Sequence, residues 1–409
     1  MARGMKILWV KGDFLHPTTK GGQIRTLEML REMNKRHEVH YIGLDDKSSP
    51  EGPQRSSEYS HRSYAVEHRL ADQRSLAFVG DLCQGLVSAL PVAVQRFCSP
   101  TMKKLIDELR ERERFDHVVC DFLIPAPNLS RLEDCVLFQH NVETMIWRRR
   151  AEQAPDPARK WYLAREARKM EDFERKVCNQ VRHVIAVSEQ DAVMFRQMFG
   201  VKNVSSVPTG VDIEFFRPPA EHSGLEGADL VFVGSMDWTP NCDGMHYFVN
   251  EILPRIRASK PDCSLVIVGR SPGPDIQAFA ERDPRIKVTG TVKDVRPYLW
   301  GSKVSIVPLR IGGGTRLKIY ESMAACVPVV STSIGAEGLE VEHGRNIFLA
   351  DDPESFAARC VELLYSDEGR RRMAGQAHQL VCSRFSWTQV SKYFESILEQ
   401  SRLEQSRGA

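Results

Sequence analysis

The sequence predicts an α/β protein of two doubly wound parallel-sheet domains, each with its own hydrophobic core. Short apolar runs alternate with longer helix-like segments along the chain, which is typical of βαβ units with buried parallel strands. The proline- and glycine-punctuated stretch 207–219 interrupts this alternation once, after which it starts again. The chain has 409 residues, and single cores usually stop growing at about 250–300 residues.

Ten short apolar runs are the predicted strands. In the first domain they are 7–10, 39–42, 117–120, 136–139 and 184–187. In the second domain they are 230–233, 265–268, 286–289, 304–307 and 327–330. We place the two domains at 1–207 and 208–385, and we expect a helical tail over 386–409 that packs back on the first domain.

Charge and cysteine content argue against several classes of function. The 56 basic and 54 acidic residues leave a formal net charge of +2, so no global field attracts nucleic acid. The ten cysteines include no C-x-x-C pair and no cysteine–histidine cluster with zinc-ligand spacing. We therefore expect no structural metal, and we expect the thiols to be reduced. Cys120 and Cys326 lie in apolar stretches, where we expect them to pack as small hydrophobes.

The sequence shows neither a signal peptide nor a membrane span. Its first residues run directly into an apolar strand, without the charged and long apolar regions of a signal peptide. The longest uncharged stretch, 82–95, contains Pro91 and is shorter than the roughly 20 residues that cross a bilayer. We expect a cytoplasmic protein.

The segment after the predicted strand 304–307 carries the strongest ligand-binding signal. It runs Gly312-Gly313-Gly314-Thr315-Arg316-Leu317-Lys318-Ile319-Tyr320-Glu321, a glycine turn that leads into a helix. Bare N–H groups at a helix start, with Arg316 and Lys318 beside them, favour a diphosphate. Glu321 lies far enough along the helix to chelate a ribose diol. A glycine-rich turn with two solvated basic residues is the alternative.

Short motifs recur along the chain in a fixed order. The N-terminal motifs are Gly21-Gly22, His140-Asn141-Val142-Glu143, Ala186-Val187-Ser188 and Pro208-Thr209-Gly210-Val211-Asp212. The C-terminal motifs are Phe232-Val233-Gly234, Ile267-Val268-Gly269, Val307-Pro308-Leu309, Glu321-Ser322-Met323-Ala324, Pro328-Val329-Val330 and Ile334-Gly335-Ala336-Glu337-Gly338. In their order and spacing they resemble glycosyltransferase family 4, over nearly the whole chain.

This resemblance implies the GT-B fold, with two Rossmann-like domains that face a central cleft. It also implies transfer of a sugar, with retention and without a metal, from a nucleotide-diphosphate-sugar. The donor is then a co-substrate, and no cofactor is expected. The acceptor would be a sugar, a lipid-linked sugar or another small molecule of polysaccharide or glycolipid synthesis.

Two positions depart from the family's pattern. The family usually carries two glutamates eight residues apart, whereas here Gly313 stands at the first position and Glu321 at the second. Contacts to the donor sugar from that first acid must then come from backbone N–H groups. The family also often places an arginine and a lysine soon after the strand that ends before Gly234, where this chain has neither. Arg316 and Lys318 are expected to replace those cations.

The predicted site contains two overlapping sets of residues. The catalytic set is His140, Arg316, Lys318 and Glu321. The donor-binding set is Gly22, Gly234, Arg270, Val292, Gly313, Gly314, Thr315, Arg316, Lys318 and Glu321.

Four of these residues each have a second interpretation. Gly22, expected just before a helix that begins near residue 24, faces the phosphates or the acceptor, or forms a plain turn. His140 contacts the donor sugar or the acceptor, or is an ordinary hydrogen-bonded histidine. Arg270 and Val292 line the nucleobase, as the resemblance implies, or simply pack in their loops.

Basic and aromatic residues are dense between positions 147 and 176. Either a solvated helix face or a surface for an anionic membrane that holds the acceptor explains this composition. Two other functions compete with sugar transfer. They are a nucleotide-sugar epimerase of the same fold and a nucleotide-sugar-binding protein without catalysis.

Overall fold

The structure is a computed structural model that describes residues 4–18, 21–47, 50–70, 75–152, 154, 156–220, 225–311 and 317–408. The chain divides into two compact units. Unit 1 comprises Met1–Pro208 and Val390–Ala409, and unit 2 comprises Thr209–Gln389. Each unit is a parallel sheet between helices, so the predicted fold class is confirmed.

In the described part of unit 1, seven strands form one parallel sheet. They are β1 (Lys6–Lys11), β2 (Glu38–Asp45), β3 (Arg62–Glu67), β4 (His117–Asp121), β5 (Cys135–Gln139), β6 (His183–Ala186) and β7 (Val204–Ser206). Their order in the sheet is β3-β2-β1-β4-β5-β6-β7. The helices are α1 (Gly21–Asn34), α2 (Glu51–Gln54), α3 (Leu76–Val87), α4 (Val92–Gln95), α5 (Pro100–Arg112), α6 (Glu143–Glu152), α7 (Pro157–Gln180) and α8 (Glu189–Phe199).

In the described part of unit 2, six strands form a second parallel sheet. They are β8 (Leu230–Val233), β9 (Leu265–Val268), β10 (Ile286–Val288), β11 (Val304–Val307), β12 (Val329–Ser331) and β13 (Phe348–Leu349), in the order β10-β9-β8-β11-β12-β13. The helices are α9 (Ile213–Phe216), α10 (Thr239–Tyr247), α11 (Leu253–Ser259), α12 (Pro274–Arg282), α13 (Arg296–Trp300), α14 (Leu317–Ala324), α15 (Pro353–Tyr365) and α16 (Asp367–Leu380). Short 3₁₀ or π turns occur at Ser56–Glu58, Ala126–Asn128, Leu132–Asp134, Phe248–Ile252 and Val381–Phe385.

The last helix, α17 (Trp387–Gly408), begins in unit 2 and continues into unit 1. Within unit 1 the ring of Phe394 lies 5.6 Å from that of Trp9 and 5.1 Å from that of Phe138. Arg36 forms an ion pair with Glu395 at 2.5 Å. Residues from the end of the chain therefore complete the core that its first strand begins.

Three features differ from the sequence-based expectations, each for a local reason. The connection after residue 208 contains the short helix α9, because the Asp212 side chain accepts the N–H of Phe215 and caps it. The last predicted strand begins two residues late, at Val329, because the chain is still leaving α14. Cys326 is exposed rather than packed, since it occupies the left-handed position (φ 56°) where that helix ends and the Val327 N–H bonds back to Ser322.

No helix in the described part of the chain is long and apolar enough to cross a membrane. Nine cysteines are described, all as free thiols; five of them are buried: Cys120, Cys135, Cys178, Cys263 and Cys360.

Candidate functional site

Each sheet has one point where the strand order reverses, between β1 and β4 in unit 1 and between β8 and β11 in unit 2. Open parallel sheets bind ligands beyond the carboxyl ends of the strands at such points. The residues that end or follow these four strands are therefore the candidate site residues.

A buried ion pair joins the ends of β1 and β4. Lys11 and Asp121 are register partners in the sheet, and the Lys11 Nζ lies 3.0 Å from Asp121 Oδ2. The same oxygen accepts the indole N–H of Trp9 at 3.0 Å and the hydroxyl of Thr26 at 2.7 Å. The other oxygen, Oδ1, lies 2.7 Å from Nε2 of His140. One carboxylate thus ties together two strands, helix α1 and the loop after β5.

His140 is held on a second side by an aromatic ring. The imidazole stacks on Phe122 with ring centroids 4.0 Å apart and planes 6° apart. Phe122 has a φ of 70°, a left-handed conformation that costs about 1–3 kcal/mol for a residue with a side chain. Gly22 lies against both rings, because a Cβ there would be 2.6 Å from Phe122 Cζ and 3.6 Å from His140 Nδ1. Gly21 and Gly22 are the first residues of α1, so this helix begins earlier than expected.

The electrostatics of this cluster fix its protonation. Burial by itself would raise the pKa of Asp121, but the Lys11 ammonium and His140 lower it below its usual value. Burial lowers the pKa of His140 to about 4, although the Asp121 carboxylate opposes that shift. Asp121 is therefore ionised and His140 neutral near pH 7.

The loop that carries His140 is anchored by a second buried carboxyl group, that of Glu174 on α7. Glu174 accepts hydrogen bonds from the Gln139 side chain at 3.0 Å and from the Glu143 N–H at 2.9 Å. It also accepts the N–H and hydroxyl of Thr144 at 2.8 and 2.6 Å, at the first turn of α6. Burial raises the pKa of Glu174 to about 7, against the lowering effect of these hydrogen bonds.

In unit 2 the site residues gather at the end of β8. The Lys318 Nζ donates to the side-chain oxygen of Asn241 at 2.7 Å and lies 4.4 Å from the centroid of the Phe232 ring. A Cβ on Gly234 would be 2.8 Å from that Nζ. A Cβ on Gly269 would be 1.8 Å from the Gly234 carbonyl oxygen, so Gly269 requires glycine for close packing. The Lys318 ammonium group on α14 therefore lies beside the end of β8, and its replacement of the family's cations stays a prediction.

Glu321 lies three residues beyond Lys318 on α14. It is half-buried, and within the described residues its carboxyl group makes no hydrogen bond. Burial raises its pKa to about 7, and Lys318 partly opposes this rise. A carboxyl group desolvated in this way is suited to take up a ligand's hydroxyl groups.

Arg270 follows β9 and contacts the same loop after β8. Its Nε donates to the Ser235 hydroxyl at 2.8 Å and lies 3.3 Å from a carboxylate oxygen of Asp237. Val292, after β10, is half-buried against the core of unit 2. The structure therefore brings Arg270 to the loop that follows Gly234 and packs Val292 against the core of unit 2, and a nucleobase contact of either residue stays a prediction.

Four predicted residues, Gly313, Gly314, Thr315 and Arg316, lie outside the described residues. Their roles stay predictions.

Sequence reasoning missed Lys11, Asp121, Asn241 and Glu174. Two of them carried a usable signal, because Lys11 and Asp121 are charged residues that directly end buried apolar strands. Asn241 and Glu174 are ordinary polar residues within helices, and nothing in the sequence marks their partners.

Two family models match the chain and together cover most of it. The model described as Glycosyltransferase Family 4 matches residues 19–215, and the model described as Glycosyl transferases group 1 matches residues 227–366. The first match lies almost wholly in unit 1, and the second lies within unit 2.

The chain is also similar to full-length known proteins. An uncharacterized 44.6 kDa protein in the cps region of Klebsiella pneumoniae is 20% identical over 408 residues, which span 97% of this chain and 100% of that protein. The structure of Anabaena Alr3699/HepE in complex with UDP has a TM-score of 0.65 at 14% identity, over 97% of this chain and 100% of that one. Sucrose-phosphate synthase from Thermosynechococcus elongatus has a TM-score of 0.65 at 14% identity, over 96% and 98% of the two chains. At these identities the two structures show the fold alone. With the two family matches and this fold, the chain belongs to the family 4 and group 1 glycosyltransferases of the GT-B type.

Proposed function

We propose that this glycosyltransferase transfers a hexose, with retention and without a metal, from a nucleotide-diphosphate-sugar to an acceptor in polysaccharide or glycolipid synthesis. The observation that carries the proposal is the ammonium group of Lys318 at the end of β8, with the carboxyl group of Glu321 on the same helix. A cation and a carboxyl group so placed match the two polar ends of such a donor, its diphosphate and its ribose.

The nucleobase and sugar to test first come from the structural neighbours. Structures of Anabaena Alr3699/HepE have been solved in complex with UDP and with UDP-glucose. UDP-glucose is therefore the first donor to test on this chain. The acceptor class is suggested by the Klebsiella relative, whose description places it in a cps region.

In the proposed reaction the protein itself stabilises the negative charge that develops on the leaving diphosphate. Lys318 and Arg316 supply the positive charge, and the backbone N–H groups of 313–315 supply hydrogen bonds. Preorganised donors of this kind each contribute about 2.7–4 kcal/mol to the transition state. A leaving phosphate oxygen accepts the proton of the acceptor hydroxyl, so no protein nucleophile is required. We assign Gly22 and His140 to contact with the donor sugar or the acceptor.

Calorimetry with UDP-glucose and a pair of lysine variants tests this proposal. Lys318→Ala should weaken binding and reduce kcat by about 10²–10³-fold. Lys303→Ala is the matched control, because Lys303 pairs with Asp229 at 2.9 Å at the opposite, amino end of the same sheet. Lys318→Ala with unchanged affinity and turnover would remove the central claim.

The finer features have separate readouts. Proton NMR of the product should show the anomeric configuration of the donor, and EDTA should leave the rate unchanged. Conversion of the donor without any acceptor would indicate an epimerase. Binding without turnover on any acceptor extract would indicate a non-catalytic nucleotide-sugar-binding protein.

We also propose that helices α6 and α7, with the end of α3, contact an anionic bilayer on its cytoplasmic side. Arg149, Arg159 and Lys160 are exposed there, and Trp161 is 60% exposed. Val87, at the end of α3, is 86% exposed. The Arg165 guanidinium links α7 to α3 by donating to the Leu86 carbonyl at 2.6 Å. Basic groups around exposed apolar side chains suit the interface of a membrane that carries negative charge.

Vesicle sedimentation tests this contact. At low salt the protein should sediment with vesicles rich in phosphatidylserine and stay in solution with phosphatidylcholine alone. Trp161→Ser with Lys160→Ser should weaken sedimentation, whereas Lys303→Ala should not. Equal recovery from both lipids would contradict the proposal.

A further inference from the structure

One ring nitrogen of His140 forms no hydrogen bond with the described residues of the protein. Its Nδ1 is buried, and in the described part of the chain it has no hydrogen-bond partner. A buried polar atom left without a partner costs about 1–3 kcal/mol. Its other nitrogen, Nε2, is committed to Asp121 at 2.7 Å.

The two oxygens of Asp121 face different kinds of group. Oδ2 receives the indole N–H of Trp9 and the ammonium of Lys11, which are donors only, as well as the hydroxyl of Thr26. Oδ1 faces Nε2 of His140. Because an ionised carboxylate only accepts hydrogen bonds, Nε2 must carry the ring proton.

We propose that Asp121 is a positioning residue that fixes His140 as the Nε2–H tautomer, so that Nδ1 accepts a hydrogen bond from a hydroxyl group of the ligand. The neutral state of His140, whose pKa burial lowers to about 4, keeps Nδ1 without a proton. The tautomer follows from the geometry of the free protein. Only the identity of the hydroxyl, as one of the sugar substrates, rests on the proposed function.

The surroundings of Nδ1 fit this role. Phe122 stacks on the imidazole, and the Lys11 Nζ lies 4.0 Å from the centroid of the same phenyl ring, so the ring plane of His140 is fixed. A Cβ on Gly22 would lie 3.6 Å from Nδ1, and a Cβ on Gly21 would meet nothing within 4 Å. The first two residues of α1 therefore put no side chain next to Nδ1, and we place the approach of the ligand on this side.

This assignment chooses between the two ligands considered for the Gly21-Gly22 segment. An unprotonated ring nitrogen accepts hydrogen bonds but cannot donate one. Fully ionised diphosphate and carboxylate oxygens have no proton to donate, so they gain nothing at Nδ1. Nδ1 therefore selects a hydroxyl group rather than a phosphate.

The variant Asp121→Asn makes a specific change in the tautomer. Trp9 and Lys11 require an oxygen opposite them, so the amide oxygen takes the place of Oδ2. The amide NH₂ then faces His140, whose Nε2 must accept, and the ring proton moves to Nδ1. The position of the proton is measured by long-range proton–nitrogen NMR on protein labelled with ¹⁵N-histidine. Comparison with the spectrum of His140→Gln assigns the signal among the 12 histidines.

We expect the Nε2–H pattern in the unaltered protein and the Nδ1–H pattern in Asp121→Asn. Thr26→Val is the control, because it removes one donor to Oδ2 and leaves Oδ1 in place, so it should keep the Nε2–H pattern. The spectrum of the unaltered protein decides the proposal even if Asp121→Asn does not fold. An Nδ1–H or doubly protonated His140 at pH 7 in that spectrum would overturn it.

Kinetics then test the use of Nδ1. In Asp121→Asn, kcat/KM for sugar transfer should fall at least tenfold, about 1.4 kcal/mol, while the affinity for UDP alone stays unchanged. A shifted proton with unchanged kcat/KM would refute the hydroxyl contact. If the unaltered protein transfers no sugar, the proposed function fails, but the NMR result still decides the tautomer.

Discussion

The two sheets place polar residues at the same topological position but balance their charge differently. In unit 1 the ammonium of Lys11 and the carboxylate of Asp121 are 3.0 Å apart and at most 3% exposed, so the charges cancel inside the protein. In unit 2 the half-buried Lys318 donates to a neutral amide, that of Asn241. A carboxylate cancels the charge of the cation beside it, whereas the neutral amide of Asn241 does not cancel the charge of Lys318. This difference is consistent with a hydroxyl site in unit 1 and a diphosphate site in unit 2.

The largest expected effect comes from removing the partner of each cation. Asp121→Ala leaves the buried ammonium of Lys11 without a counter-charge and should cost about 3–5 kcal/mol of unfolding free energy. Asn241→Ala removes a neutral partner of Lys318 and should cost about 1 kcal/mol. Urea unfolding followed by fluorescence and circular dichroism measures both. Equal losses would contradict the comparison.

The two carboxyl groups with a pKa of about 7 should respond in opposite directions to an amide substitution at pH 8. Glu174→Gln places an NH₂ group against donors such as the N–H and hydroxyl of Thr144, and should lower stability by about 1–3 kcal/mol. Glu321→Gln removes a desolvated charge that has no hydrogen-bond partner in the described residues, and should raise stability by about 1–3 kcal/mol.

The pH dependence of the Glu321 effect has a definite sign. Its pKa is raised from 4.5 to about 7 in the folded protein, so the native state binds more protons between these values. Stability of the unaltered protein therefore falls as the pH rises through this window, and the loss is complete above the folded pKa. Glu321→Gln should match the unaltered protein below pH 4.5 and exceed it most at pH 8. Urea unfolding at several pH values would contradict this if the difference stays constant.

Alanine substitutions at Gly22 and Gly234 should have smaller effects, which differ between stability and ligand binding. Gly22→Ala pushes a methyl group against the stacked ring of Phe122 and should cost about 1–3 kcal/mol of stability. Gly234→Ala meets Lys318 Nζ at 2.8 Å, Asn241 Nδ2 at 2.9 Å and the Phe232 ring at 3.0 Å. Because these contacts are longer than the one at Gly22, it should cost less stability, but displacing the Lys318 ammonium group should weaken nucleotide-sugar binding. Thermal unfolding and calorimetry on the same two variants separate these outcomes. A binding loss without a stability loss in Gly22→Ala would break the distinction.

The smallest effect on stability is expected at Arg270. Its contacts with Ser235 and Asp237 are exposed, so Arg270→Ala should change the unfolding free energy by less than about 0.5 kcal/mol. If the side chain lines the nucleobase, UDP affinity should fall while stability stays constant. Unchanged UDP affinity would leave Arg270 with a loop contact alone.

The sequence predicted the interior strands well, because each is a run of buried apolar residues. It missed β3, β7 and β13 for the converse reason. The sequence of β3, Arg-Ser-Tyr-Ala-Val-Glu, is mostly exposed at one edge of its sheet. The other two have only three and two residues and also lie at an edge, where pairing with a neighbour defines the strand more than its own composition does.

The candidate site was predictable only in part. Glycines and cations near helix starts have a local signature, and Gly234 and Lys318 do meet in the structure. Lys11 and Asp121 each end an apolar run, but their pairing has no local signature, because the two residues are 110 positions apart and become neighbours only through the strand order. Charged residues are usually solvated, so composition alone favours the wrong environment for both.

Helix α17 makes unit 2 an insertion within unit 1, since the chain enters unit 2 after Pro208 and returns at Val390. The ring of Phe394 that packs on Trp9 and Phe138 is thus synthesised only after all of unit 2. On the ribosome the second domain therefore has its complete sequence before the first one does, the reverse of the usual N-terminal-first order. A fragment that stops at residue 208 lacks the helix that completes the core of unit 1, whereas unit 2 is one continuous segment, 209–389.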